Sequence, residues 1–229
     1  MTGPIDLLYV DDHVVVANKP SGLLVHRGWD RDDDVAMFRV RDALGGNHVH
    51  PLHRLDRGTS GALVLARTQD AARVLAAAFE AGTIEKQYLA LVRGQVADDE
   101  GVIDYAIQND EDTASPRVPA VTRFRVVRRS AVDRCSLVLA MPETGRLHQI
   151  RRHLRHINHP LVGDVKHGSG PINRHYRTTY GLHRLALHAA LIAFAHPVTG
   201  ARISVEAPMP ADLAEPLQRL ELWPGAIAS

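Results

Sequence analysis

Ala62-Leu63-Val64-Leu65-Ala66 is apolar at five consecutive positions, and that run limits the fold more than any other segment. A run this short, with no polar alternation, reads as a strand covered on both faces. The rest of the chain supplies partners for it. Leu7-Leu8-Tyr9-Val10 and Val14-Val15-Val16-Ala17-Asn18 read as a hairpin turning at Asp11-Asp12, followed by the turn Lys19-Pro20-Ser21-Gly22. Tyr88 to Val92, Val121 to Val127, Ser136 to Ala140, Ala186 to Ala195 and Ile203 to Val205 read as further strands. Helices are fewer. Thr68 is a candidate N-cap for a helix from Asp70 to Ala81, with Gly82 ending it. Ile150, Leu154 and Ile157 form one short helical stripe, stopped by His159-Pro160. Ala211 to Leu222 closes as a helix whose Pro216 must sit in the first turn or bend it. Gln108 to Arg117 is polar and reads as a surface loop. Strands dominate without regular βαβ alternation, so a doubly wound parallel fold is disfavoured. The expectation is an α+β fold with a mixed, largely antiparallel central sheet flanked by helices and loops.

With 229 residues and no low-complexity linker, the chain is expected to form a single catalytic domain over 1–229. The single Cys135 sits in an apolar run and reads as a core thiol, which excludes a disulfide framework within the chain. No stretch is long enough to span a membrane, and the N-terminus lacks the pattern of a signal peptide, so the cytoplasm is the default location. Net charge is only +1. Its distribution says more. From Gly145 to Arg177 there are seven Lys or Arg against one acid, Asp164, whereas Asp98 to Asp112 holds seven acids and no Lys or Arg. High-GC coding explains why Arg outnumbers Lys 24 to 3, but it does not explain the clustering. A localised basic patch is the footprint of a nucleic-acid site.

Two segments carry candidate chemistry. In His53-Arg54-Leu55-Asp56-Arg57-Gly58-Thr59-Ser60-Gly61 a carboxylate stands between two arginines ahead of a sharp turn. The flanking positive charge favours its ionised form, which suits a nucleophile, a metal ligand or an N-cap. In Thr144-Gly145-Arg146 through His156 the apolar helical stripe lies under Arg151, Arg152 and Arg155. That basic face could support a phosphate backbone or pair with a buried carboxylate. No acid lies within the helix to neutralise it at i,i+4 spacing. Fourteen histidines raise a metal site, but His-Glu-x-x-His is absent and no Cys pair exists. The P-loop, Gly-x-Gly-x-x-Gly and Gly-x-Ser-x-Gly patterns are absent too, which removes the common nucleotide-cofactor and acyl-transfer readings. Tyr88 opens a strand, where an aromatic residue is ordinarily a core residue.

Together these segments resemble the RluA-type pseudouridine synthases. His53-Arg54-Leu55-Asp56 with Thr59-Ser60-Gly61 matches that family's catalytic motif, Lys86 to Gly94 its tyrosine motif, and Thr144 to Leu154 its basic motif. His159 to Asp164 and Leu187-His188-Ala189 fit the order that follows. Leu24 to Arg27 and Gly163 to Leu182 look most like the TruC subgroup, which modifies a uridine in the T-stem of certain tRNAs. One departure is Gly58, where Pro is common. The resemblance implies a pseudouridine synthase fold with no separate N-terminal RNA-binding domain. It implies Asp56 as nucleophile, Tyr88 packing on the base, and Arg151 pairing with Asp56. Arg54 would fill the space left by a flipped base, and His53, Arg57, Arg146, His148, Arg152 and Arg155 are candidate RNA contacts. It implies no metal and no cofactor. The partner is RNA, tRNA first and ribosomal RNA second, with no membrane and no obligate protein partner evident.

Overall fold

A computed structural model describes residues 4–27, 34–108 and 114–223. It divides into two compact units, Met1–Lys86 with His188–Met209 and Gln87–Leu187 with Pro210–Ser229. The chain changes unit inside strands, between 86 and 87 and between 187 and 188, and again at 209–210. Strand residues carry no linker composition, so the sequence gives no sign of the division.

In the first unit β1 (Asp6–Val10) and β2 (Val14–Lys19) form the expected hairpin. Its turn is held by the Asp11 carboxylate, which accepts the His13 and Val14 N–H groups at 2.7 and 2.8 Å. Helix α1 (Ala36–Ala43) and the short β3 (His50–Pro51) lead to β4 (Ser60–Ala66) and α2 (Gln69–Glu80). The Thr68 side chain caps α2 by accepting the Ala71 N–H, as its position in the sequence predicts. β2 runs antiparallel to β4, with Val16 opposite Val64, and β3 pairs with the end of β4. β9 (Leu187–Ala195) meets β4 in parallel through Ser60–His188 and Gly61–Ala189, and β10 (Arg202–Glu206) pairs with β9. Val14, Val16, Ala62 and Val64 pack on Leu75 of α2 and on Ile192 and Phe194. The opposite-facing Val15, Ala17, Leu63 and Leu65 are equally buried. Both faces of β4 are therefore covered, as its unbroken apolar run requires. Each such buried Val or Leu contributes about 1.5–3 kcal/mol.

The second unit is built on β5 (Glu85–Arg93), β6 (Glu100–Asp104), β7 (Val121–Arg129) and β8 (Cys135–Pro142). β5, β8, β7 and β6 lie in that order, every pair antiparallel. Buried Cys135 stands at the head of the apolar β8 strand, a core thiol as expected. Helix α3 (Gln149–His156) packs on β7 and β8 and buries Ile150 and Leu154. α4 (Gly170–Tyr180) and α5 (Ala211–Arg219) complete the unit.

Four elements, α1, β3, α4 and β6, are not expected from the sequence. α1 and α4 bury only two side chains each, Ala36 and Val40, and Tyr176 and Tyr180, so neither leaves a strong helical period. Ser169 is the N-cap of α4, with a proline in its first turn. β6 lies in the acidic stretch and buries only Ile103. Pro216 occupies the sixth position of α5, beyond the first turn, and the helix continues to Arg219. Of the expected loop Gln108 to Arg117, residues 109–113 lie outside the described residues; its ends meet where Ile107 bridges Val118. Among the described residues no helix is long and apolar enough to cross a membrane.

Candidate active site

Asp56 sits on the loop between β3 and β4, half-buried, with Leu55 beside it fully inside. The loop is tied at three points, and the motif's polar residues make most of the ties. At its entry the His53 ring stacks on Phe79 of α2 with centroids 4.8 Å apart, and Nε2 accepts the Val64 N–H at 3.0 Å. That acceptor role needs neutral imidazole. Burial, with the Lys86 charge adding to it, pushes the His53 pKa down to about 3. At its centre the Asp56 carbonyl accepts the Thr59 N–H at 2.9 Å, closing a turn over Arg57-Gly58. That turn lies on Lys19-Pro20-Ser21-Gly22. The Gly22 N–H donates to the Arg57 carbonyl at 2.7 Å and Ser21 Oγ to the Gly58 carbonyl at 2.9 Å. The Arg57 side chain donates back to the Gly22 carbonyl at 2.9 Å. Lys19 is completely buried, and its ammonium donates to the Leu23 carbonyl at 2.7 Å and reaches the Arg57 carbonyl at 3.4 Å. At its exit Ser60 Oγ donates to His188 Nδ1 at 2.8 Å, while His188 Nε2 donates to the Ala207 carbonyl at 3.1 Å. Gly61 has φ +111°, and a Cβ there would stand 2.1 Å from the Ala189 carbonyl oxygen. Only glycine lets β4 and β9 approach this closely.

The loop thus presents the Asp56 side chain from a backbone held by neighbouring segments. Of the expected RNA contacts on it, Arg54 is exposed. Arg57 spends Nε on the Gly22 carbonyl, and the neutral His53 ring faces inward as part of the scaffold rather than as a cationic RNA contact. Thr59 Oγ1 is buried without a hydrogen-bond partner among the described residues. Such an orphaned hydroxyl costs about 1–3 kcal/mol.

In the second unit Tyr88 lies near the start of β5, opposite Ala140 of β8, and is 8% exposed. α3 rests on that same β8 strand. Arg151 faces the protein rather than solvent, being 9% exposed. Its guanidinium grips Asp164 through Nε to Oδ2 at 2.7 Å and Nη2 to Oδ1 at 2.8 Å. Asp164 is 1% exposed, and its Oδ1 also accepts the Lys166 and His167 N–H groups at 2.9 and 2.8 Å. Burial would raise its pKa; the hydrogen bonds from Arg151 and His167 and the guanidinium charge outweigh that and hold it below the usual carboxylate range. Asn173 of α4 fixes the backbone here, accepting the Gly163 N–H and donating to the Asp164 carbonyl. Sequence reasoning gave Asp164 no role. The signal was available, since it is the lone acid among seven basic residues from Gly145 to Arg177.

Gln149 and His153 were also missed as organisers. Gln149 Oε1 accepts from Thr144 Oγ1 and the Arg146 N–H, and its Nε2 donates to the Val121 carbonyl and Thr122 Oγ1. Thr122 in turn donates to His153 Nδ1 at 2.9 Å, and His153 Nε2 donates to the Tyr105 carbonyl at 3.0 Å. Burial keeps His153 neutral by lowering its pKa. These bonds fix the loop before α3, where His148 takes a left-handed φ of 55° and its ring lies against His167. Arg146 is exposed with Nε on the Pro119 carbonyl, Arg152 donates to the Gln108 carbonyl at 2.6 Å, and Arg155 is exposed. Among the described residues no three His, Cys, Asp or Glu side chains converge as a metal-binding group.

Comparison with known proteins matches this arrangement. Residues 13–156 fit the RNA pseudouridylate synthase family. The tRNA pseudouridine synthase C of Pectobacterium carotovorum subsp. carotovorum is 42% identical over 222 residues, covering 89% of this chain and 58% of that protein. The chain therefore spans less than two thirds of that relative, although it covers 86% of the Yersinia pestis protein of the same name, at 41% identity over 89% of this chain. The solved structure of Human RNA Pseudouridylate Synthase Domain Containing 4 superposes with a TM-score of 0.76 at 27% identity, covering 94% of this chain and 92% of that one. On motif order, fold and sequence identity alike, the chain belongs to the RNA pseudouridylate synthase family.

Proposed function

We propose that the protein isomerises a uridine of structured RNA to pseudouridine, and that its substrate is the T-stem of tRNA, met in the cytoplasm. The observation that carries this reading is the Asp56 loop, a carboxylate held on a backbone tied at entry, centre and exit, in a chain 41–42% identical to proteins named tRNA pseudouridine synthase C. Preorganisation of this kind is what a nucleophile needs.

The target uridine leaves the helical stack at a cost of a few kcal/mol, and Arg54 fills the vacated space. The ionised Asp56 attacks C1′ of the ribose or C6 of uracil. The N1–C1′ bond breaks, the base turns, C5 bonds to C1′, and the bond from Asp56 to C1′ or C6 breaks, returning the carboxylate. C5 then loses its proton and N1 gains one, so atoms balance with no external reductant or oxidant. Tyr88 packs on the base and assists removal of the C5 proton. Arg151 pairs with the Asp56 carboxylate, and the Asp164 grip fixes where the guanidinium can point. Arg146, His148, Arg152 and Arg155 face the RNA backbone, which makes affinity salt-dependent.

The test is release of the uracil C5 hydrogen from labelled tRNA and, separately, from ribosomal RNA, with wild type and Asp56→Ala. Release from tRNA that disappears in the variant is expected. Release from ribosomal RNA alone would keep the chemistry and replace the substrate. Release that survives in Asp56→Ala would remove the nucleophile assignment, and no release from either RNA would leave a binding protein of this fold.

A further inference from the structure

Arg93, Arg134 and Arg155 line one cavity of about 570 Å³ in the second unit, together with Asn158 and His159. They come from three places, the end of β5, the turn before β8 and the last turn of α3. No acidic residue lines the cavity, and none of the three guanidiniums has an ion-pair partner among the described residues. The acid adjacent in sequence, Asp133, is engaged by His175 Nε2 at 2.8 Å. The walls are fixed by backbone bonds. The Arg93 N–H donates to the Pro160 carbonyl at 3.0 Å, the Gly94 N–H to the Arg134 carbonyl at 2.7 Å, and His159 Nδ1 to the Arg93 carbonyl at 2.9 Å. Gly94 has φ +82°, and a Cβ there would press on the His159 ring at 3.1 Å. Three like charges converging on one concavity repel each other in the free protein and become favourable once an anion enters. Guanidinium forks suit the paired oxygens of a phosphate.

We propose that this cavity is a phosphate subsite, and that it holds a phosphodiester of the substrate RNA outside the target nucleotide. The phosphate chemistry stands on the three arginines; its assignment to RNA rests on the function proposed above.

The experiment compares wild type, Arg93→Ala, Arg134→Ala and the double variant for tRNA binding across a salt series and for turnover at low and saturating tRNA. One lost phosphate contact removes about 0.7–0.9 from the slope of log K against log salt. The double variant is expected to lose up to about twice that, with KM raised about tenfold and kcat within about twofold. Lysine at both positions is expected to restore the slope, which a merely structural role for the arginines would not predict. Unchanged affinity and slope in the double variant overturns the proposal. Thermal stabilisation of wild type by inorganic pyrophosphate, lost in the double variant while its tRNA affinity is unchanged, would make this a free-anion site and overturn the RNA assignment. A wild type that binds tRNA through these arginines yet forms no pseudouridine would sink the proposed function and leave the subsite standing.

Discussion

The Asp56 loop and helix α3 both carry candidate site residues, and they are fixed by opposite means. In the loop, neighbouring segments hold the backbone: Ser21, Gly22 and Lys19 bind the Arg57 and Gly58 peptide groups, and Gly61 lets β9 close against the exit. On α3 the backbone is an ordinary helix and the side chains are held, Arg151 by Asp164 and His153 and Gln149 by Thr122. The difference separates what motif residues do. Around Asp56, His53 and Ser60 hold the chain on either side of one half-buried carboxylate. On α3 one buried carboxylate holds one guanidinium through two bonds.

Exchanging carboxylates tests this most strongly. Asp164→Ala leaves the buried Arg151 charge without its bidentate partner and is expected to lower stability by about 3–5 kcal/mol, read by urea unfolding. Asp56→Ala is expected to keep the folded circular dichroism and to drop C5-hydrogen release to background. If Asp164→Ala unfolds at the wild-type midpoint, the sequestered pair is not what holds this region. Gly61→Ala follows. Its Cβ meets the Ala189 backbone and its φ is positive, so a loss of about 3 kcal/mol is expected; a wild-type Tm would mean that β4 and β9 can separate without cost. Lys19→Met should cost about 1–3 kcal/mol by stranding buried carbonyls, and turnover should fall because the loop loosens; full turnover in a stable variant would detach the turn from the site.

The last effect is a pH dependence, read over a narrow window. The His53 pKa in the fold lies near 3, below its ordinary 6.5, so the unfolded chain binds the extra proton between those values. Stability from the neutral ring is complete above about pH 6.5 and is lost as pH falls toward 3, by at most about 1.4 kcal/mol per pH unit. His53→Gln should flatten unfolding free energy between pH 6.5 and 5 relative to wild type. A parallel decline in both proteins would show that His53 is not the group responsible.

Much of this was legible in the chain. The unbroken apolar run at Ala62 to Ala66 required a strand covered on both faces, and Thr68 and Gly82 marked the two ends of α2. Order and spacing of the motifs led to the family. Legibility ended where a residue's partner lies far away in the chain. Asp164 gripping Arg151, Lys19 reaching the Arg57 carbonyl, His53 accepting the Val64 N–H and Ser60 bonded to His188 are all set by packing. Helices α1 and α4 escaped because each buries only two side chains, too few to leave a period. Local sequence by itself determined strands, caps and turns, because hydrogen-bond period and burial act over a few residues. Only the tertiary structure decided which charges are paired, which histidines are neutral, and which three arginines share a cavity, because desolvation and pairing depend on distance in space.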